Sequence, residues 1–308
     1  MPARHIPRAK WRGRQDPEDG VTAKRFYHFE ADGSPNAVIG FRCDAGVRRN
    51  QGRTGAKEGP TAIRTALSNL PALSGMQTFT DLGDIEVNGD DLEQGQALLA
   101  GHVEQALNSH DKLLVLGGGH ETAWASYLGL AKRYPDRQIG IINLDAHLDL
   151  RNIAAVGPSS GTPFNQIRNF APERFDYLCL GVAEEANTTA LFERAADWGV
   201  NMIDDKSLIK DIHAADAEIE ALVERSDMVY LTIDIDLLPH YQAPGVSAPA
   251  TRGVPLAAVE HLVDHVIETC AVKNCRMPLM DIVEVSPTFD RDNMTAKIAA
   301  VLARRFLR

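Results

Sequence analysis

Two aspartates and a histidine follow a strongly apolar run in this chain. Asp145, His147 and Asp149 take alternate positions directly after Ile139–Leu144. In extended backbone alternate side chains lie on one side, so two carboxylates and an imidazole converge on one point. The β-branched run predicts a strand buried on both faces of a parallel sheet, and open α/β sheets bind ligands at the carboxyl ends of such strands. Taken alone, the pattern is also typical of a polar strand exit with helix-capping aspartates.

Two further strand-like runs end in the same kinds of side chain. Met228–Ile233 leads into Asp234 and Asp236, and Lys112–Leu116 leads through three glycines to His120. So many carboxylates converge only if cations neutralise them. A mixed nitrogen and oxygen set suits two divalent ions that share bridging carboxylates, with Mn²⁺ favoured over metals that prefer thiolates. The sequence therefore predicts a binuclear site with six ligands: His120, Asp145, His147, Asp149, Asp234 and Asp236. We expect Asp145 and Asp234 to bridge.

The elements that must position these ligands alternate from Ala37 onwards without a linker-like break. Eight strand-like runs are separated by segments with helical periodicity, which predicts one α/β domain with a mainly parallel eight-stranded sheet covered by helices on both faces. Residues 1–35 are polar and read as an N-terminal arm, with 36–308 as the catalytic domain. Trp11 is the candidate anchor of that arm.

Composition excludes several classes of protein. Hydrophobic residues make up 44% of the chain and charged residues 24%, which is ordinary for a globular protein. The net charge of −10 disfavours nucleic acid and anionic membranes as partners. We find no apolar run of transmembrane length and no signal peptide. Cys43 and Cys179 read as buried thiols, whereas a disulfide between Cys270 and Cys275 is only weakly indicated. These features predict a cytoplasmic location.

The motifs Gly-Gly-Gly-His, Asp-Ala-His-Leu-Asp and Asp-Ile-Asp, in this order, resemble the arginase/agmatinase superfamily of binuclear manganese ureohydrolases. The resemblance runs from about Val38 to the C-terminus and is closest to the formiminoglutamases. It implies an arginase-like fold, two Mn²⁺ per subunit and hydrolysis of a small amidine. For the formiminoglutamases this means N-formimino-L-glutamate giving L-glutamate and formamide, in histidine degradation. We also expect a homo-oligomer.

The loop after the first predicted parallel strand is rich in arginine. Its Gly-Val-Arg-Arg-Asn-x-Gly-Arg pattern contains Arg48, Arg49, Asn50 and Arg53 and resembles the same loop of formiminoglutamases. A planar guanidinium suits a carboxylate, so this loop is a candidate for holding an acidic substrate through Asn50 and Arg53. The generic alternative is a solvated run of charge.

The resemblance supplies four further site residues and a second role for Asp149. Ser160 stands where arginases and agmatinases carry a histidine thought to shuttle protons, and formiminoglutamases share the serine. Arg151 matches the position of an arginase asparagine that binds the substrate carboxylate. Asn187 lies in a loop resembling the substrate-facing loop of the family. Glu284 matches the glutamate that pairs with the cationic substrate group, and Asp149 returns a proton to the leaving nitrogen in the family picture.

Other interpretations of the same residues stay open. A related ureohydrolase would act on a guanidino acid or agmatine, and a non-catalytic homologue would bind metal without turnover. A mononuclear zinc deacetylase of similar fold would not need all six ligands. His261 and His265 have the i, i+4 spacing of a zinc pair, but Leu262 stands where a general-base glutamate would be, which favours simple helix packing. His213 belongs to no recognisable motif.

Overall fold

The computed structural model describes residues 3–72 and 74–308. Within these residues the strands are β1 (Ala3–Ile6), β2 (Asn36–Arg42), β3 (Phe79–Val87), β4 (Lys112–Leu116), β5 (Ile139–Leu144), β6 (Asp176–Val182), β7 (Asn201–Asp204), β8 (Met228–Asp234) and β9 (Arg276–Val283). They form one sheet in the order β1-β3-β2-β4-β9-β8-β5-β6-β7. Only β1 runs antiparallel to its neighbour among these described strands.

Helices follow most of the strands and cover both faces of the sheet. In the described chain they are α1 (Ala45–Arg49), α2 (Gly59–Ser68), α3 (Leu92–Ala106), α4 (Thr122–Arg133), α5 (Pro163–Phe170), α6 (Thr189–Asp197), α7 (Asp205–Lys210), α8 (Asp216–Glu224), α9 (Leu256–Val272) and α10 (Met294–Phe306). Short 3-10 turns occur between them, including one at Ile235–Leu237 that directly follows β8. No helix of the described residues is both long and apolar enough to cross a membrane.

The core divides into two layers, one on each side of the sheet. Consecutive residues of one strand enter opposite layers, as Ile141 and Ile142 of β5 do. One layer is completed by α2, α8, α9 and α10, and the other by α3, α4, α5 and α6. All six residues of β5 are buried, which explains why its sequence is apolar except at Asn143 rather than alternating.

The predicted α/β fold with a mainly parallel sheet is confirmed, but the predicted strand count was wrong. The ninth strand is β1, whose sequence Ala-Arg-His-Ile carries charge and has no marked β propensity. It pairs with β3 at the sheet edge, where Arg4 makes an ion pair with Glu86 and the His5 ring contacts the Leu82 carbonyl. Charged side chains are common on edge strands, so the strand is specified by its partner rather than by its own pattern. The division at residue 35 stays a prediction.

Trp11 fixes the segment after β1 to the body of the protein. Its ring is buried and meets Phe79 edge-on, with ring centroids 4.9 Å apart. Its Nε1 donates to Asp81 Oδ2 at 2.6 Å, and Arg64 donates to both oxygens of the same carboxylate. Trp11 is therefore held both by aromatic packing and by a hydrogen bond to the Asp81 carboxylate, which is itself paired with Arg64.

The described cysteines are free. Cys43, Cys179 and Cys270 are buried and Cys275 is half-buried. The buried thiols predicted at Cys43 and Cys179 are confirmed, and the weakly indicated disulfide between the other two is absent.

We expect replacement of Trp11 by alanine to lower the free energy of unfolding by about 3–5 kcal/mol, because a large aromatic cavity opens beside Asp81. Trp11→Phe should cost less, since it keeps the ring and loses only the donor to the carboxylate. Urea titration followed by fluorescence and circular dichroism measures both changes. Val21→Ala is the control, because that side chain is 90% exposed. Equal midpoints for Trp11→Ala and Val21→Ala would show that the segment is not anchored.

Candidate active site

The predicted ligands and Glu284 lie at the ends of four strands that are side by side in the middle of the sheet. In the order β4-β9-β8-β5, the strand ends bear His120, Glu284, the pair Asp234 and Asp236, and the Asp145 motif. Although β4 and β5 follow each other in the chain, β8 and β9 lie between them in the sheet. The site is therefore complete only once the last two strands are in place.

The first half of the ligand cluster surrounds His120. Its Nδ1 lies 3.1 Å from Asp145 Oδ2, 3.1 Å from Asp149 Oδ2 and 3.2 Å from Asp234 Oδ2. This nitrogen is buried, and among the described residues no group has the geometry of a hydrogen-bond partner for it. A nitrogen and three carboxylate oxygens thus point at a common centre rather than at one another.

The second half surrounds His147 and shares one residue with the first. His147 Nδ1 lies 3.4 Å from Asp145 Oδ1 and 3.2 Å from Asp236 Oδ2. Asp145 therefore turns one oxygen to each half, as a bridging carboxylate would. Two groups of donor atoms close enough to hold an ion share it: His120 with Asp145 and Asp234, and His147 with Asp145 and Asp236. The position of Asp234 as a second bridge stays a prediction.

Electrostatics make the cluster a fit for divalent cations. Burial raises the pKa of Asp234 well above its usual value, and the neighbouring carboxylates of Asp236 and Asp145 add to the rise. Burial and the Asp145 carboxylate likewise raise the pKa of Asp149. Four carboxylates in this space repel one another unless positive charge lies between them. The unpartnered His120 nitrogen and the oxygen-rich donor set both fit hard or borderline ions such as Mn²⁺.

A buried polar group on a neighbouring strand holds His120 from behind. Its Nε2 lies 3.1 Å from Thr232 Oγ1 in β8, and Asp281, which lies opposite Thr232 in β9, accepts from the Tyr230 hydroxyl. Such groups fix the ring orientation of a ligating histidine. Neither Thr232 nor Asp281 was predicted from the sequence. Their signal is a polar residue inside an otherwise apolar strand.

Asn143 gives the same kind of signal and the same kind of support. It interrupts the apolar run of β5 and is fully buried. Its amide nitrogen donates to Asp145 Oδ2 at 3.0 Å and to the Tyr177 hydroxyl at 2.9 Å. The Asp145 carboxylate is thereby oriented from within β5.

Glu284 directly follows β9 in a strained backbone conformation, with φ at 65°. Its Oε1 accepts from the His120 amide at 3.0 Å, while the buried Oε2 has no hydrogen-bond partner within the described chain. Burial, reinforced by the Glu121 carboxylate, raises the pKa of Glu284 to about 8. Asp149 also has a positive φ, of 47°. Left-handed backbone at non-glycine residues is costly and concentrates at functional sites.

The predicted substrate residues all line one cavity of about 320 Å³ together with His147, Asp149 and Glu284. These residues are Asn50, Arg53, Arg151, Ser160 and Asn187. Asn50 donates to the Ser160 hydroxyl at 3.2 Å. Ser247, from the loop after β8, also lines the cavity, and no sequence pattern pointed to it.

The polar groups around this cavity differ in how far they are already used. Asn187 donates to the carbonyls of Ala146 and Ala183 and accepts from the Leu148 amide, so its amide holds the ligand loop in place. Arg53 lies over the Phe289 ring and donates to two backbone carbonyls. Roles for both residues in substrate binding stay predictions.

Most arginines near the cavity already have acidic or backbone partners, and Arg151, in the loop after Asp149, is the exception. Arg49 is nearly buried and pairs with Asp90 and Glu93, and Arg48 lies near the same Asp90 carboxylate. The Arg151 guanidinium is exposed and has no ion pair or hydrogen bond with any described side chain. It is therefore the arginine most available to an acidic ligand.

Comparison with known proteins gives the same relationship over nearly the whole chain. The sequence model of the arginase family matches residues 34–308. Formimidoylglutamase of Vibrio cholerae is 45% identical over 317 aligned residues, covering 95% of this chain and 92% of the relative. Formimidoylglutamase of Cupriavidus pinatubonensis is 45% identical, covering 96% of this chain and 97% of the relative.

Solved structures show the same fold. Formimidoylglutamase of Bacillus subtilis superposes with a TM-score of 0.84 at 24% identity, covering 97% of this chain and 94% of that one. Formiminoglutamase of Trypanosoma cruzi, solved with Mn²⁺, gives a TM-score of 0.78 at 25% identity, covering 91% of this chain and 95% of that one.

We expect Asp145→Ala to remove at least one of two bound divalent ions, because it deletes the carboxylate that faces both halves of the cluster. Metal content after incubation with Mn²⁺ and gel filtration measures the loss. Asp136→Asn is the matched control, since this aspartate is exposed and precedes β5, whereas the predicted ligands follow the opposite end of that strand. Unchanged metal content in Asp145→Ala would contradict the assignment of these ligands.

Proposed function

The chain belongs to the arginase family, and we propose that it hydrolyses N-formimino-L-glutamate to L-glutamate and formamide with two Mn²⁺ ions per subunit. One observation carries the proposal: the cavity contains both the ligand cluster with Glu284 and the free guanidinium of Arg151. An amidine with acidic substituents needs these opposite charges in one site. The names of the relatives that are 45% identical over nearly their full length support the same substrate.

The residues of this chain have separate tasks in the reaction. Bound divalent ions supply Lewis-acid activation of water at neutral pH. Glu284, although its pKa is raised in the free site, is ionised by a neighbouring amidinium, which it binds through two charge-assisted hydrogen bonds. Arg151 binds a substrate carboxylate. These contacts hold the amidine carbon beside the ligand cluster and orient it for attack.

The bonds balance without a further reactant. The oxygen of water bonds to the formimino carbon, and the bond from that carbon to the glutamate nitrogen breaks. Asp149 accepts a proton that the attacking water gives up and passes it to the departing nitrogen, which leaves as the amine of glutamate. The carbon retains its other nitrogen and the new oxygen as formamide. Ser160 accepts a hydrogen bond from Asn50 and shapes the cavity wall, and the mechanism assigns it no proton.

Substrate charge provides the first test. With Mn²⁺ supplied, we expect formiminoglutamate to exceed arginine, agmatine and guanidinobutyrate by orders of magnitude in kcat/KM, because it alone is a dicarboxylate. Arg151→Ala should raise KM by about tenfold with little change in kcat, as expected for a contact equal in ground and transition states. Arg291→Ala is the control, since its side chain is 89% exposed.

Two outcomes of that panel would redirect the proposal. Preferred turnover of guanidinobutyrate or agmatine would leave a ureohydrolase of the family with a different substrate. No turnover of any compound by a fully metal-loaded chain would indicate a non-catalytic homologue.

Proton transfer provides the second test. Glu284→Gln should lower kcat/KM by about 30- to 5,000-fold, because the amidinium then lacks its buried counter-charge. This loss corresponds to roughly 2–5 kcal/mol of transition-state stabilisation. Ser160→Ala should cost far less. General acid–base groups typically contribute ~10²–10⁴-fold, so a kcat loss of that size at Ser160 would show that the serine takes part in proton transfer. Steady-state kinetics of both variants, with metal content verified, decide the matter.

A further inference from the structure

A second cluster of histidines and acids lies outside the active site, where α8 and α9 pack together. His213 Nδ1 lies 2.8 Å from one oxygen of Asp216, and His261 Nε2 lies 2.8 Å from the other. The rings of His213 and His261 meet edge-on, with centroids 4.4 Å apart. Asp216 begins α8, His261 lies in the first half of α9, and His213 precedes Asp216 by three residues.

A third histidine points toward the same carboxylate without completing a bond. The His265 ring stacks on His261, and its Nε2 lies 4.0 Å from Asp216 Oδ1 and 3.6 Å from Glu220 Oε1. This nitrogen is buried and has no hydrogen-bond partner in the described part of the chain. A plain hydrogen-bonded network through Asp216 accounts for two of the histidines and leaves the third unsatisfied.

We propose that His213, Asp216 and His261 bind a Zn²⁺ ion, with His265 or Glu220 as a further ligand. One donor atom from each of the first three residues lies within 4.8 Å of the other two. The cluster shares no residue with the predicted active-site ligands. The proposal therefore concerns a separate site and does not depend on which amidine the enzyme hydrolyses.

The donor set selects a different metal from the active site. Imidazoles predominate here, whereas four carboxylates predominate there, and imidazole-rich sets suit Zn²⁺ more than Mn²⁺. Zinc bonds of about 2.0–2.1 Å in a tetrahedron separate neighbouring donors by about 3.3 Å. The present separations of 2.8 Å need only a small outward shift. His213 allows it, because its side chain is 62% exposed and lies outside the helix.

The position indicates a structural role. The ion would join the turn before α8 to the outer side of α9. These two helices lead into β8 and β9, the strands that bear Asp234, Asp236 and Glu284. An ion at this position would stabilise the helices that lead into the last two strands of the chain, without contacting the substrate.

The test measures zinc in the full-length chain. Wild type, His213→Ala and His261→Gln are incubated with excess Mn²⁺ and limited Zn²⁺, gel-filtered and analysed for both metals. We expect wild type to retain about one more zinc per chain than either variant. His102→Ala is the matched control, because that half-buried histidine stacks on His5 and faces no carboxylate cluster.

A second arm separates this site from the active site. In an Asp145→Ala background, the zinc that depends on His213 should persist, and zinc should still raise the melting temperature, because binding to the folded state stabilises it. Adding His213→Ala to that background should abolish the rise in melting temperature. In the otherwise wild-type chain, His213→Ala should leave turnover of the Mn²⁺-loaded enzyme unchanged. Equal zinc content in wild type, His213→Ala and His261→Gln, all folded by circular dichroism, would overturn the proposal and leave only a hydrogen-bonded network.

Discussion

Four closely spaced carboxylates at the carboxyl ends of the central strands are the constraint on which the rest of this structure depends. Taking ionised groups out of water is expensive, and placing several together raises the pKa values of Asp149 and Asp234. The fold accepts that cost at the centre of its sheet, where helices cover both faces. Divalent cations offset the repulsion, so the same arrangement that weakens the free chain creates the affinity for metal.

Rigidity around the cluster comes from groups that touch neither metal nor substrate. Asn143 and Thr232 interrupt apolar strands and lie within hydrogen-bond distance of Asp145 and His120, and Asp281 interrupts β9 and accepts from the Tyr230 hydroxyl. Asp149 and Glu284 hold left-handed backbone at the ends of their segments. Such strain persists only where the surrounding structure holds the residue firmly. Here Asp149 and Glu284 follow β5 and β9, which are interior strands of the sheet.

Fewer arginines around the cavity are free to bind a ligand than the sequence suggests. Several of the loop arginines are used to hold the loop itself, as the pairing of Arg49 with Asp90 and Glu93 illustrates. Arg151 is free because the loop that follows Asp149 extends past the ligands and presents it to solvent. The proposed preference for an acidic substrate therefore depends on which arginine is left unpaired, and the number of arginines does not reveal this.

The sequence by itself determined the parallel α/β fold and the types of the predicted ligands. Buried strands appear in the sequence as local apolar runs, and the predicted ligands lie at or shortly after the ends of three such runs. Spacing sufficed for Asp145, His147 and Asp149, which share a side of one extended segment. Tertiary structure decided what depends on strand order. The insertion of β8 and β9 between β4 and β5, and the edge strand β1, came from pairing partners distant in the chain. The same holds for His213, which meets His261 only because α8 packs on α9, a contact that no local pattern encodes.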